Sequence, residues 1–213
     1  MIHVITSANR GLYREELHEH FRIRHDIYVG ERGWKALERA DGLERDQFDT
    51  DDAIYILGID GGRVVAGSRL VPTVKPHLLS EIFPHLAAQR GVPRDPAVFE
   101  WTRIFVIKER REGRNSGRTA GLVMCGLLEF CLDQGIEALT AIMETWWLPR
   151  FHDMGWTLHP LGLPELIDGS WTVAVMMPMN EATLDTTRAF HSITAPVLIQ
   201  KGPLRPAVTE VLS

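Results

Sequence analysis

Apolar residues recur with two different periods along this chain, and the switches between them lay out its elements. Residues 2–6 read as a first strand. Leu17, Phe21 and Tyr28 then return at helical spacing, which predicts a helix over residues 12–29. After an acidic loop, residues 53–59 and 63–71 predict two strands, joined by the hairpin signal Asp60-Gly61-Gly62. A short element at 78–83 leads into a proline-bearing loop ending near Pro96, and residues 99–107 predict another strand. A basic, glycine-containing loop precedes a helix over 117–134, with Leu122, Val123, Leu127, Phe130 and Cys131 on its apolar side. A strand at 138–144, a helix at 146–154, a strand at 171–177 and a helix at 181–190 follow, then a proline-containing tail. This order predicts an α/β fold, a mixed central sheet flanked by helices. Without repeats or a linker, the 213 residues read as a single domain.

Some charges break the pattern. Arg24 falls on the apolar stripe of the first helix, three residues after Phe21 and four before Tyr28. In alternating strands, Arg69 shares a side with Val65 and Val71, and Arg103 with Phe99, Trp101 and Phe105. A guanidinium keeps its proton, so one that faces a core needs carboxylates or an anionic ligand. The acids are at hand: the stretch DGLERDQFDTDD, residues 41–52, offers Glu44, Asp46 and Asp49, and Glu100 can be added. Two readings fit, a polar site for a small charged ligand or an ion-pair network that pins a long loop to the sheet. Glu100 and Arg103 are three apart, so a regular strand sends them to opposite faces unless a bulge intervenes.

Composition removes several alternatives. A net charge of −5 with no basic stripe argues against nucleic acid as partner, although residues 108–118 are locally basic. The first twenty residues turn charged too early for a signal peptide, and no apolar run reaches membrane-spanning length. Cys125 and Cys131 diverge on one predicted helix, which disfavours a disulfide and fits a reducing cytoplasm. His18, His20 and His25 do not share a helical face, and no Cys/His spacing suggests a metal site.

The basic loop has a further use, because backbone N–H groups at a helix N-terminus bind anions. Arg114, Gly117, Arg118 and Thr119 approximate an R-x-x-G-x-G/A pyrophosphate loop, with Thr at the last position; a plain charged turn is the alternative. In order along the chain come Arg24, Trp34, Glu44, Asp46, Asp49, Arg69, Phe83, Glu100 and Arg103, within ERDQFDTDDAIYILG, VVAGSRLVPT, LSEIFPHL and VFEWTRIFV. In these residues the chain resembles the acyl-homoserine-lactone synthases, autoinducer synthases with an acetyltransferase-like fold. The likeness covers most of residues 1–160, with Tyr28 where the family usually has Phe.

The resemblance implies a bacterial, cytoplasmic enzyme that joins an acyl thioester to S-adenosylmethionine and closes a lactone with release of methylthioadenosine. It implies no metal and no permanently bound cofactor. Arg24, Tyr28, Trp34 and Phe83 would belong to the S-adenosylmethionine pocket, beneath a cover formed by residues 1–52. Asp46, Asp49, Arg69 and Arg103 would bind S-adenosylmethionine as well, making with Glu44 the charged network around it; Glu100, Arg103 and Asp46 would be the catalytic residues, Glu100 as general base, directly or through one water. Residues 53–192 would carry the core sheet and the acyl donor, with 193–213 as a tail. Arg114, Gly117, Arg118 and Thr119 would bind the acyl donor's phosphates or equally receive an acidic carrier protein, with acyl-coenzyme A placed ahead of acyl-carrier protein as donor. Met143, Trp146 and Trp147 are candidate walls that would shorten the acyl tunnel and select a short, branched or aryl chain; ordinary packing is their other reading. The competing functions are an acetyl-coenzyme A-dependent N-acetyltransferase and a non-catalytic small-molecule sensor.

Overall fold

The computed structural model describes residues 1–112 and 117–204. Its strands are β1 (Ile2–Ile5), β2 (Ile54–Asp60), β3 (Arg63–Pro72), β4 (Val98–Val106), β5 (Ala138–Glu144), β6 (His159–Pro160), β7 (Glu165–Ile167), β8 (Ser170–Pro178) and β9 (Leu198–Ile199). They form one mixed sheet in the order β6-β8-β5-β4-β3-β2-β1-β9, with β7 also pairing with β8. Contacts are antiparallel except β4 with β5 and β1 with β9. The helices are α1 (Arg14–Arg24), α2 (Leu78–Glu81), α3 (Arg118–Gln134), α4 (Leu148–Asp153) and α5 (Glu181–Phe190).

Alternation along β2 assigns the two layers. Ile56 packs with Val123, Leu127 and Cys131 of α3, while Tyr55 and Leu57 pack with Tyr13 and Leu17 around α1. Gly126 lets α3 lie close, because an added Cβ would come within 2.5 Å of the Ile2 side chain.

The predicted first helix is two pieces. After α1 the chain widens into a π-helical stretch, His25–Glu31, closed by Arg32 N–H to the Ile27 carbonyl at 2.9 Å. The predicted helix at 146–154 starts later, because Thr145–Trp147 forms a tight 3₁₀ turn ahead of α4. Strands β6 and β9 have two residues and β7 three, too few to show alternation in sequence.

Two irregularities in β4 make room for a site. Strand β4 pairs with β5 only from Val98 to Glu100, opposite Ala138 to Thr140. Beyond those residues no pairing joins the two strands, and a gap opens in mid-sheet. On its other side, Gly67 of β3 faces Phe105 and Arg69 faces Thr102, so β4 carries one extra residue. At that bulge Arg103 has φ 56°, an uncommon conformation for a side chain with a Cβ.

Candidate active site

The bulge decides where the charges meet. Alternation places Glu100 and Thr102 on the face that Arg69 occupies, and Thr102 Oγ1 accepts from Arg69 Nε at 3.1 Å. The extra residue brings Arg103 to that face as well. The expected grouping of Arg103 with Trp101 and Phe105 is therefore corrected. Trp101 packs on the α3 side, Phe105 on the α1 side, and Arg103 joins the acids of loop 41–52.

Three arginines and three acids alternate in a closed ring. Arg24 donates to Glu44 at 2.5 Å and, through both terminal nitrogens, to Asp49 at 2.8 and 2.9 Å. Asp49 also meets Arg69 at 2.9 Å, and Arg69 grips Asp46 at 2.6 and 3.0 Å. Arg103 closes the circle, donating to Asp46 at 2.9 Å and to Glu44 at 3.0 and 3.1 Å. Local turns set the acids: Glu44 N–H binds the Phe21 carbonyl, Asp46 accepts from Phe48 N–H, and Phe48 is buried as an anchor. Burial opposes ionisation here, yet the arginine partners hold Asp49 and Glu44 below the usual carboxylate range. Desolvation likewise opposes the Arg24 charge, and Asp49 and Glu44 more than offset it. Both sequence readings thus describe parts of one object. The ring ties the loop to the sheet, and only its Arg103 and Asp46 edge lines a cavity.

That cavity, about 510 Å³, occupies the gap between β4 and β5. On one side Tyr28 and Trp34 stack at 5.2 Å, and the Tyr28 hydroxyl donates to the Ile104 carbonyl at 2.9 Å. Phe83 and Leu78 contribute another wall. Along β5 and beyond, Met143, Trp147 and Phe151 line the apolar end, with Met124 of α3 behind them. Sequence reasoning missed Arg32, Thr102, Met124, Glu144 and Phe151, which also line it. Thr102 and Glu144 lie on strands it had drawn, so the splay was the missing signal.

Other expected residues fall elsewhere. Glu100 is buried, and its two oxygens accept the Leu79 and Leu78 N–H groups at 2.7 and 2.9 Å, at the start of α2. Burial raises its pKa although those N–H groups pull the other way. Glu100 is not among the residues that line the cavity. Trp146 is corrected too: it is 47% exposed, stacked on Trp147 at 4.5 Å and on Arg150, and absent from the cavity wall. Arg114 lies outside the described residues. Gly117 precedes α3, Arg118 N–H donates to Glu112 at 3.1 Å, and its guanidinium reaches the Ser192 carbonyl at 3.2 Å; Thr119 lies in the first turn. None of these three lines the cavity.

Comparison with known proteins agrees with this geometry. The autoinducer synthase family model matches residues 9–186. An isovaleryl-homoserine lactone synthase of Bradyrhizobium diazoefficiens is 49% identical over 209 residues, covering 98% of this chain and 93% of that protein. A solved CoA-dependent acyl-homoserine lactone synthase, BjaI, with SAM and isopentyl-CoA, superposes with a TM-score of 0.90 at 49% identity, over 95% of this chain and 94% of that one. The fold is shared more widely. A putative N-acetyltransferase from Lactobacillus plantarum matches with a TM-score of 0.55 at 18% identity, over 84% of this chain and 99% of that one. The acetyltransferase-like fold is thus confirmed, and the chain belongs to the autoinducer synthase family as an acyltransferase, an acyl-homoserine-lactone synthase.

Proposed function

We propose that the enzyme acylates S-adenosylmethionine from a short branched acyl-coenzyme A, an isovaleryl-type donor, inside the gap between β4 and β5. The observation that carries this is the two-ended cavity. It has Arg103, Tyr28 and Trp34 at one end and Met143, Trp147 and Phe151 at the other. The polar, aromatic end suits a zwitterionic nucleoside, through cation–π and ion pairing. Bulky side chains at the apolar end leave room for a compact acyl group. The 49% identity to an isovaleryl-homoserine lactone synthase supports the same choice.

The neutral α-amine attacks the thioester carbonyl, the amine's proton is taken up, and the thiol departs. The substrate carboxylate then attacks the γ-carbon, the carbon–sulfur bond breaks with its electrons going to sulfur, and methylthioadenosine leaves neutral. Residues 1–52 serve as the cover, with Arg24 acting through the ring and not by contact. Glu100, held behind Leu78, takes the proton through a relaying water. Both substrates are made in the bacterial cytoplasm, which is where we place the enzyme; its two cysteines are unpaired.

Thiol release from a panel of acyl-coenzyme A donors, with and without S-adenosylmethionine, tests the reading. S-adenosylmethionine-dependent release that is fastest with isovaleryl-coenzyme A is expected. Release from straight-chain donors only would overturn the acyl assignment. Turnover with acyl-carrier-protein donors alone would overturn the donor.

A further inference from the structure

The ring is balanced within itself and shows the cavity only its Arg103 and Asp46 edge. Its three guanidiniums and three carboxylates cancel, and Arg103 meets the acids through Nε and Nη2. Among the described residues, the other charges on the cavity wall are Arg32, Glu144 and Asp168. Arg32 offsets one of the two acids, so the wall outside the ring carries one uncompensated negative charge. Asp168 sits on an exposed turn with φ 48°, where water screens it. Glu144 is different. It ends β5 at the lip of the splay, with its side chain 28% exposed, and its one ion-pair contact is Arg32 at 3.9 Å, the outer limit of pairing. Arg32 in turn leans on Trp34 and Tyr28, at 5.4 and 5.9 Å from their centroids.

We propose that Glu144 is a substrate-binding carboxylate that receives the sulfonium of S-adenosylmethionine, exchanging its loose contact with Arg32 for the substrate cation. This rests on the function proposed above. Three observations converge on it. The cavity wall is short of one positive charge. The substrate, with its amine neutral for attack, carries one cation, the sulfonium, and one carboxylate, which the Arg103 end of the cavity receives. Glu144 is the half-buried carboxylate on that wall that no hydrogen bond or close ion pair already claims. Transfer of the acyl group does not change the sulfonium, so Glu144 would hold it through acylation. Once the lactone closes, the cation is gone, the neutral thioether loses its attraction, and Arg32 regains its partner.

S-adenosylhomocysteine provides the test, because it keeps the nucleoside and amino-acid parts but has a neutral sulfur. Binding of both ligands would be measured by calorimetry on the wild-type protein, Glu144→Gln and Glu144→Asp, each checked for fold by circular dichroism. Glu144→Gln should weaken S-adenosylmethionine by roughly fivefold while moving S-adenosylhomocysteine less than about twofold, the scale of a partly screened ion pair. Glu144→Asp should restore part of the preference. Equal losses for both ligands, or none for either, would overturn the inference and leave the synthase reading standing. Wild-type protein that binds neither ligand would overturn both.

Discussion

The Arg103 guanidinium lies 5.4 Å from the centre of the Tyr28 ring, with the three acid oxygens it binds on its other contacts. One residue thus closes the ion-pair ring and forms part of the cavity wall. Arg24 closes the same ring with no exposed surface at all. The two arginines should therefore fail differently. Arg24→Met takes one of two arginine partners from both Glu44 and Asp49, leaves the buried ring one positive charge short, and should cost about 3–5 kcal/mol in urea unfolding. Arg103→Met, 7% exposed at the cavity edge, should lose less stability and a larger share of kcat/KM.

Acid should loosen the α1 side of the sheet before it reaches the carboxylates. His20 is buried among Phe21, Tyr55 and Phe105, and neither ring nitrogen has a hydrogen-bond partner. Burial first, then Arg24, drive its pKa well below the ordinary 6.5; Arg69 adds to this and Asp49 opposes it. The unfolded chain binds a proton at this residue near pH 6.5 and the folded chain does not, so stability falls as pH drops below that value. The expected slope is about 1.4 kcal/mol per pH unit. Urea midpoints across pH 5–7 should show it, and His20→Leu should reduce it, leaving the smaller part that His3 and His191, also lowered by burial, contribute with the same sign. A slope unchanged in the variant would contradict the assignment. Asp49 and Glu44, whose folded pKa values are depressed, add a second loss below about pH 4.

Glu100→Gln separates a proton relay from a purely structural anchor. Glutamine has one oxygen for the two N–H groups of Leu78 and Leu79, so a stability loss of about 1–3 kcal/mol is expected in either case. A relay role adds a fall in kcat of about 10²-fold or more at saturating substrate, measured below the unfolding temperature. A folded variant with unchanged kcat would reduce Glu100 to an anchor for α2.

Trp146 and Met143 should behave as opposites. Trp146→Ala removes an outward ring and should leave the acyl preference unaltered. Met143→Ala opens the apolar end and should raise kcat/KM for donors one or two methylenes longer, each methylene being worth about 1 kcal/mol or more. A donor panel run on both variants checks this.

Much of this was legible in the sequence, and the reasons differ by residue. Arg24 and Arg69 stood out because a fixed positive charge on an apolar face demands acids, and the acids lay in one loop. The long elements were visible because each repeats its period several times, as α3 does over 17 residues. Arg103 was given the wrong neighbours, since counting by two cannot survive the added residue at the bulge. The same counting did expose a conflict between Glu100 and Arg103, and a bulge was one of its two solutions. Glu100 as a buried anchor could not be foreseen, because its partners are the backbone N–H groups of Leu78 and Leu79, which no side-chain pattern reports. Glu144 and Arg32 escaped for a related reason: their meeting depends on how far two strands part.

The closed circuit of six charges also constrains how this protein can change through descent. Replace any one member with an uncharged residue and the remaining five cannot balance, whichever residue was lost. Neutral drift through single steps is therefore blocked at Arg24, Glu44, Asp46, Asp49, Arg69 and Arg103 alike, even at those that touch no substrate. A lineage could leave this arrangement only by exchanging opposite charges together. Persistence of all six would then record the difficulty of leaving as much as any direct use in chemistry.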